Sequence, residues 1–191
     1  MRDAGVLSRV FAGLGVYRPS PAARSLGRMP AHPLSAGDID RLTLPLLGLR
    51  VAEAWRGHGA ALCLELGRLA RRGREPHARG AGSLLMEWSW QVVGTRGVVA
   101  GSWAPDGRVT AALRGVVGRR VTGLTVSGPE AALTVTVDGN REVHAVGPDG
   151  LAPQWTLFLP DGTWLAVEDG RVVHDGERAA RRVSGPVAVS R

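Results

Sequence analysis

Lysine is missing from this 191-residue chain, so all 24 of its basic side chains are arginines. No Gly-Lys-Ser or Gly-Lys-Thr phosphate loop can exist without it, and Gly13-Leu14-Gly15 does not follow a strand. Cysteine is nearly absent too. The one thiol, Cys63, excludes an internal disulfide and any multi-cysteine zinc module, and a reducing, cytoplasmic setting is the expectation. Ile39, Asn140 and Tyr17 are each the only residue of their kind, while Ala, Gly, Val, Arg and Pro abound. Such a bias points to a GC-rich, bacterial genome, so part of the basicity reflects codon usage. Long apolar runs are also lacking, which argues against a membrane-spanning helix. The opening Val6-Leu7-Ser8-Arg9-Val10-Phe11-Ala12-Gly13-Leu14 is too short and interrupted for a secretory signal.

What charge there is lies unevenly. The formal net charge is +7. Residues 1–34 carry five Arg against one acid, residues 68–79 five against one and residues 177–191 four against one. The rest is slightly acidic, so the basicity belongs to two ends and one internal insertion. Such segments read as solvated arms, with nucleic acid or an acidic partner as the alternative.

Between the arms the chain resembles itself. Leu46-Leu47-Gly48-Leu49-Arg50-Val51 matches Val116-Val117-Gly118-Arg119-Arg120-Val121, and Ala60-Ala61-Leu62-Cys63-Leu64-Glu65-Leu66 matches Ala131-Ala132-Leu133-Thr134-Val135-Thr136-Val137. Each copy proceeds to a Trp-led segment, Trp90-Gln91-Val92-Val93 and Trp155-Thr156-Leu157-Phe158. Apolar residues recur at every second position, the strand period. Leu62, Leu64 and Leu66 share one face, with Cys63 on the other. Met86, Trp88, Trp90 and Val92 alternate with Glu87, Ser89 and Gln91, predicting one half-buried strand with a wet side. Glu53 interrupts Val51 to Arg56, where a bulge is expected. Asp-Gly pairs at 106, 138, 149, 161, 169 and 175 predict tight hairpins, hence an antiparallel meander. Helix is confined to the N-terminal arm, a turn near Ser35-Ala36-Gly37-Asp38 and Gly67 to Arg74.

Gly118-Arg119-Arg120-Val121-Thr122, the strand ending in Asp138-Gly139, and Trp155 followed by Leu159-Pro160-Asp161-Gly162 resemble uncharacterised, internally duplicated small β-domain proteins of high-GC bacteria. The likeness spans roughly residues 44–174. The first copy departs from it through the insertion at 68–79 and the lack of a Leu-Pro-Asp-Gly turn. The resemblance implies a duplicated β fold and no particular activity.

Residues that carry chemistry are scattered. His32, His58, His77, His144 and His174 show no ligand-like spacing, so no metal or cofactor site is expected. His58 and Cys63 could converge across a hairpin, but no third group is evident to orient them. Glu53, Glu65 and Glu87 could share a sheet, and outward, solvated carboxylates are the expectation. Six tryptophans stand against two Phe and one Tyr. Trp90 and Trp155 hold the repeated position and are assigned to the core. Trp88, Trp103 and Trp164 have no counterpart and are assigned to an interface.

The expectation is an all-β protein of two related antiparallel β-meander repeats, forming a sandwich or paired small barrels. The domains would be a basic Pro-rich arm at 1–34, a first repeat at 35–112, a second at 113–176 and a basic tail at 177–191. The expected role is a non-catalytic protein–protein interaction, accessory or scaffold protein. Its partner would be another protein, met by Trp88, Trp103 and Trp164 or by the arm's apolar stripe, Val6, Leu7, Val10, Phe11 and Leu14. The alternative is nucleic-acid binding through Arg68, Arg71, Arg72, Arg74, Arg181 and Arg182, with affinity falling steeply as salt rises.

Overall fold

The structure, a computed structural model, describes residues 34–71, 78–147 and 154–174. It is mainly β, with two antiparallel sheets and two short helices among the described residues. Helix α1 (Ala36–Thr43) precedes strands β1 (Val51–Arg56), β2 (Leu62–Leu66), β3 (Gly82–Met86), β4 (Trp90–Gly94) and β5 (Gly97–Gly101). Helix α2 (Asp106–Arg114) then precedes β6 (Val121–Ser127), β7 (Ala132–Val137), β8 (Arg141–Ala145), β9 (Trp155–Phe158), β10 (Trp164–Glu168) and β11 (Arg171–His174).

The sheets exchange strands between the two halves of the chain. One has the order β1-β2-β3-β9-β10-β11 and the other β5-β4-β8-β7-β6. Both are open, so the layers form a sandwich and the alternative of paired barrels falls away. The first half contributes β1 to β3 to one layer and β4 and β5 to the other; the second half does the converse. Each crossing occurs at a Trp. Met86 of β3 lies opposite Trp155 of β9, and Ala145 of β8 lies opposite Trp90 of β4.

Local chemistry sets the elements. Helix α1 opens with a capping box: the Ser35 hydroxyl accepts the Asp38 N–H, and the Asp38 carboxylate accepts the Ser35 N–H, both at 3.2 Å. It is a full helix rather than the expected turn. Helix α2 stands where Asp106-Gly107 predicts a hairpin turn. Pro105 at its N-cap and buried Val109, Ala112 and Leu113 at helical spacing account for it. The helix expected from Gly67 does not form over 67–71, where Ala70 instead bridges Arg79. Asp169-Gly170 is a two-residue hairpin loop with φ of 50° and 73°, as the sequence pattern predicts. The expected bulge in β1 is present between Val51 and Glu53, and β6 repeats it between Val121 and Gly123.

The core lies between the layers. Leu62, Leu64, Leu66, Leu84, Met86 and Leu157 of the first sheet are buried, as are Val92, Leu133, Val135, Val137 and Val143 of the second. Both crossing tryptophans join this core, and each donates its indole N–H to a buried carbonyl in the other layer. Trp90 Nε1 reaches Ala60 O at 2.7 Å, and Trp155 Nε1 reaches Ala131 O at 2.8 Å. Ala60 and Ala131 share an uncommon backbone, with φ of 69° and 54°. The two halves therefore solve the same burial problem with the same hydrogen bond.

The predicted strand from Met86 to Val92 is not one strand. β3 ends at Met86 and β4 begins at Trp90 in the other sheet, so the alternation spans a crossover. Trp88 and Trp90 accordingly differ: Trp90 is core, whereas Trp88 is exposed. Strand period alone cannot reveal that a chain changes layers, because both layers bury the same phase of the alternation.

Candidate functional site

Two regions stand apart from the ordinary packing. The first is the far end of the β4–β5 hairpin. Its strands close on a hydrogen-bonded pair: Ser102 N–H donates to Trp90 O at 3.0 Å, and Ser102 Oγ accepts the Trp90 N–H at 2.7 Å. Trp88 lies two residues before this pair and Trp103 one residue after it, so both leave the hairpin from one end. Trp103 is 79% exposed and Trp88 40%. Val98, on the same hairpin, is also exposed. β5 is a sheet edge, and its Val99 carbonyl is met by Arg108 Nε of α2 at 2.5 Å. That contact blocks part of the edge from further strand pairing.

The second region is the outward face of the first sheet. Trp55, Cys63, Leu85 and Thr156 lie opposite one another across β1, β2, β3 and β9. The row in the second sheet formed by Thr125, Thr134, His144 and Gln91 is polar by contrast. Ala61, Cys63 and Leu85 form a small apolar cluster with Trp55 packed against it. Cys63 is 5% exposed, and burial, reinforced by the nearby Glu65 charge, pushes its thiol up to about 12. At neutral pH the group is a protonated thiol and not a nucleophile. The side chain of His58 lies outside the described residues, so the suggested pairing with Cys63 has no geometry to report.

One row along, Glu53 lies opposite Glu65, and Glu65 opposite Ser83. Glu65 is only 2% exposed, which overturns the expectation of a solvated carboxylate. Its Oε2 accepts Ser83 Oγ at 2.5 Å and Gly80 N–H at 2.7 Å, and Arg79 Nη1 stands 3.7 Å from Oε1. Burial, with a smaller contribution from the Glu53 charge, raises its pKa, while the two hydrogen bonds and the Arg79 charge act the other way. Gly80 can donate because it lies flat on β2: a Cβ there would fall 2.4 Å from Leu66 O. The carboxylate therefore ties the end of the insertion to the sheet. Glu87, in the crossover between layers, is 7% exposed, and desolvation raises its pKa as well. The adjacent pair Leu84-Leu85, which puts a large apolar residue on each face of β3, is the available signal that this face is covered.

The expected interface residues separate. Trp88 and Trp103 both flank the Trp90–Ser102 pair at the hairpin end. Trp164 sits half-buried on the first sheet, opposite Phe158. Val6, Leu7, Val10, Phe11 and Leu14 lie outside the described residues, as do Arg72, Arg74, Arg181 and Arg182. Arg68 and Arg71 are exposed. Among the described residues no group of three or more His, Cys, Asp or Glu could hold a metal ion, and no helix is long and apolar enough to cross a membrane.

The fold defines a class: an antiparallel two-layer β protein with strands exchanged between its halves. No family model matches the chain, and neither curated proteins nor solved structures give a match.

Proposed function

We propose that this chain is a non-catalytic interaction or accessory protein that engages another protein through the Trp88 and Trp103 end of the β4–β5 hairpin. The supporting observation is that Trp103, 79% exposed, and Trp88, 40% exposed, flank the locked Trp90–Ser102 pair. Exposed Trp on a rigid support contributes large contact area at small entropic cost, which is how interface hot spots work. The N-terminal stripe from Val6 to Leu14 is a second contact in this reading. The same reading includes a cytoplasmic setting in a bacterial host, resting on the single cysteine and the GC-rich composition. Descent by duplication, and the likeness to the duplicated β-domain proteins of high-GC bacteria, belong to it too.

The test is to identify partners on the full chain, purify them and titrate each against wild type, a W88A/W103A variant and a chain lacking residues 1–34. The double variant should weaken binding by at least about tenfold, corresponding to about 1.4 kcal/mol, with an unchanged melting temperature. Equal affinity for wild type and the double variant would remove the hairpin end from the reading. A second reading, nucleic-acid binding through the Arg-rich segments, draws on the exposure of Arg68 and Arg71. It requires affinity that falls steeply with salt, and salt-independent binding would discard it.

A further inference from the structure

The two halves also meet where the loops before β1 and β6 cross. Gly48 N–H donates to Val121 O at 2.8 Å and Gly118 N–H to Val51 O at 2.8 Å; Val51 N–H donates to Arg119 O at 2.8 Å and Val121 N–H to Leu49 O at 2.9 Å. At the centre Arg50 and Arg120 form an isolated antiparallel bridge. Directly opposed residues in such a bridge project to one side, with Cβ atoms about 4.5–5.5 Å apart. The two arginine side chains thus leave the bridge on one side.

Like charges facing each other across a bridge repel. Here each arginine is instead fixed in place by the other half's backbone. Arg50 Nη1 donates to Gly118 O at 2.6 Å, and Arg120 Nη1 donates to Gly48 O at 2.8 Å. Those bonds occupy one N–H of the five that each guanidinium carries. Both side chains are exposed, and neither has a carboxylate partner among the described residues. Asp138 is close in the chain fold, but its carboxylate faces Arg119 at 3.7 Å.

The two arginines line a shallow depression of about 400 Å³ with a third, Arg68, and no acidic residue contributes to its lining. Arg68 follows Gly67, whose N–H donates to Arg50 O at 2.7 Å. The walls are otherwise Gly, Leu, Val and Ala. Three arginines line one concave surface, and no carboxylate among the described residues pairs with them.

We infer that this depression is a binding site for a phosphate-bearing anion, held by Arg50 and Arg120 across the junction of the halves and by Arg68 at its side. The planar guanidinium fork matches phosphate oxygens in pairs, and an anion here offsets the Arg50–Arg120 repulsion. The site is separate from the tryptophan end and does not depend on it. The phosphate could come from a small molecule or from a polymer backbone, so the test uses both.

The experiment is calorimetric titration of the full chain at low salt with inorganic phosphate, inorganic pyrophosphate and a short single-stranded oligonucleotide. Pyrophosphate should bind at one site per chain, and R50Q/R120Q and R68Q should each weaken it by at least about tenfold. An oligonucleotide that binds more tightly than pyrophosphate, and is weakened by the same variants, assigns the phosphate to a polymer. An oligonucleotide that binds no better assigns it to a small molecule; both results support the site. If R50Q/R120Q does not fold, as read by circular dichroism, R68Q decides alone. Absence of saturable binding by all three probes up to about 10 mM overturns the inference, as does affinity unchanged in the variants.

Discussion

At the scale of single residues, two buried carboxylates carry opposite lessons. Glu65 is surrounded by donors, and its charge has work to do in holding Gly80 and Ser83. Glu87 is raised by desolvation alone, so its ionised form is a burden on the fold. A carboxyl whose folded pKa lies above its unfolded value binds its proton more tightly when folded. Its contribution is therefore most favourable below the ordinary value of 4.5 and declines as pH rises from there through the raised folded value. Glutamine does not ionise. E87Q should melt above wild type at pH 7.5, with the difference shrinking as pH falls to 4.5 and below; a difference independent of pH would show that Glu87 carries no such burden.

At the scale of elements, the strand crossings rest on one repeated device. A Trp opens β4 and β9, buries its ring between the layers, and spends its indole N–H on the carbonyl of an alanine with positive φ. Removing that donor leaves a buried carbonyl unpaired and a small void where the larger ring was. W90F and W155F should each lower stability by about 2 kcal/mol, and by amounts within about 1 kcal/mol of each other. Urea unfolding of both variants checks this. One neutral and one severe substitution would mean that the crossings only look alike.

For the whole molecule, strand exchange makes each half incomplete. β4 pairs with β8, and β3 with β9, so neither half possesses a whole layer. A lone hairpin or three-stranded ribbon with its apolar face uncovered is marginal in water. Fragments 34–104 and 105–174 should therefore lack cooperative unfolding when separate and low in concentration, and should recover a sheet-like far-ultraviolet spectrum when mixed. A fragment that melts cooperatively as a monomer would contradict this account. The intact chain should unfold in one transition, with tryptophan fluorescence and circular dichroism coinciding.

The sequence by itself determined that the protein is β, where most strands lie, and that Trp90 and Trp155 are core. Alternation, Asp-Gly turns and the self-similarity are local signals, and strands and hairpins are locally coded. It also marked Trp88 and Trp103 as lacking counterparts across the repeat. Helix α2 was hidden by its Asp106-Gly107 start, although Val109, Ala112 and Leu113 carried the helical spacing. Only the tertiary structure decided that the halves exchange strands, because hydrophobic alternation reports which residues are inward and not which layer they enter. The same holds for the burial of Glu65 and for the lining of one depression by Arg50, Arg120 and Arg68. Those residues are placed by pairing between segments far apart in the chain, and pairwise proximity of that kind leaves no trace in the periodicity of either segment.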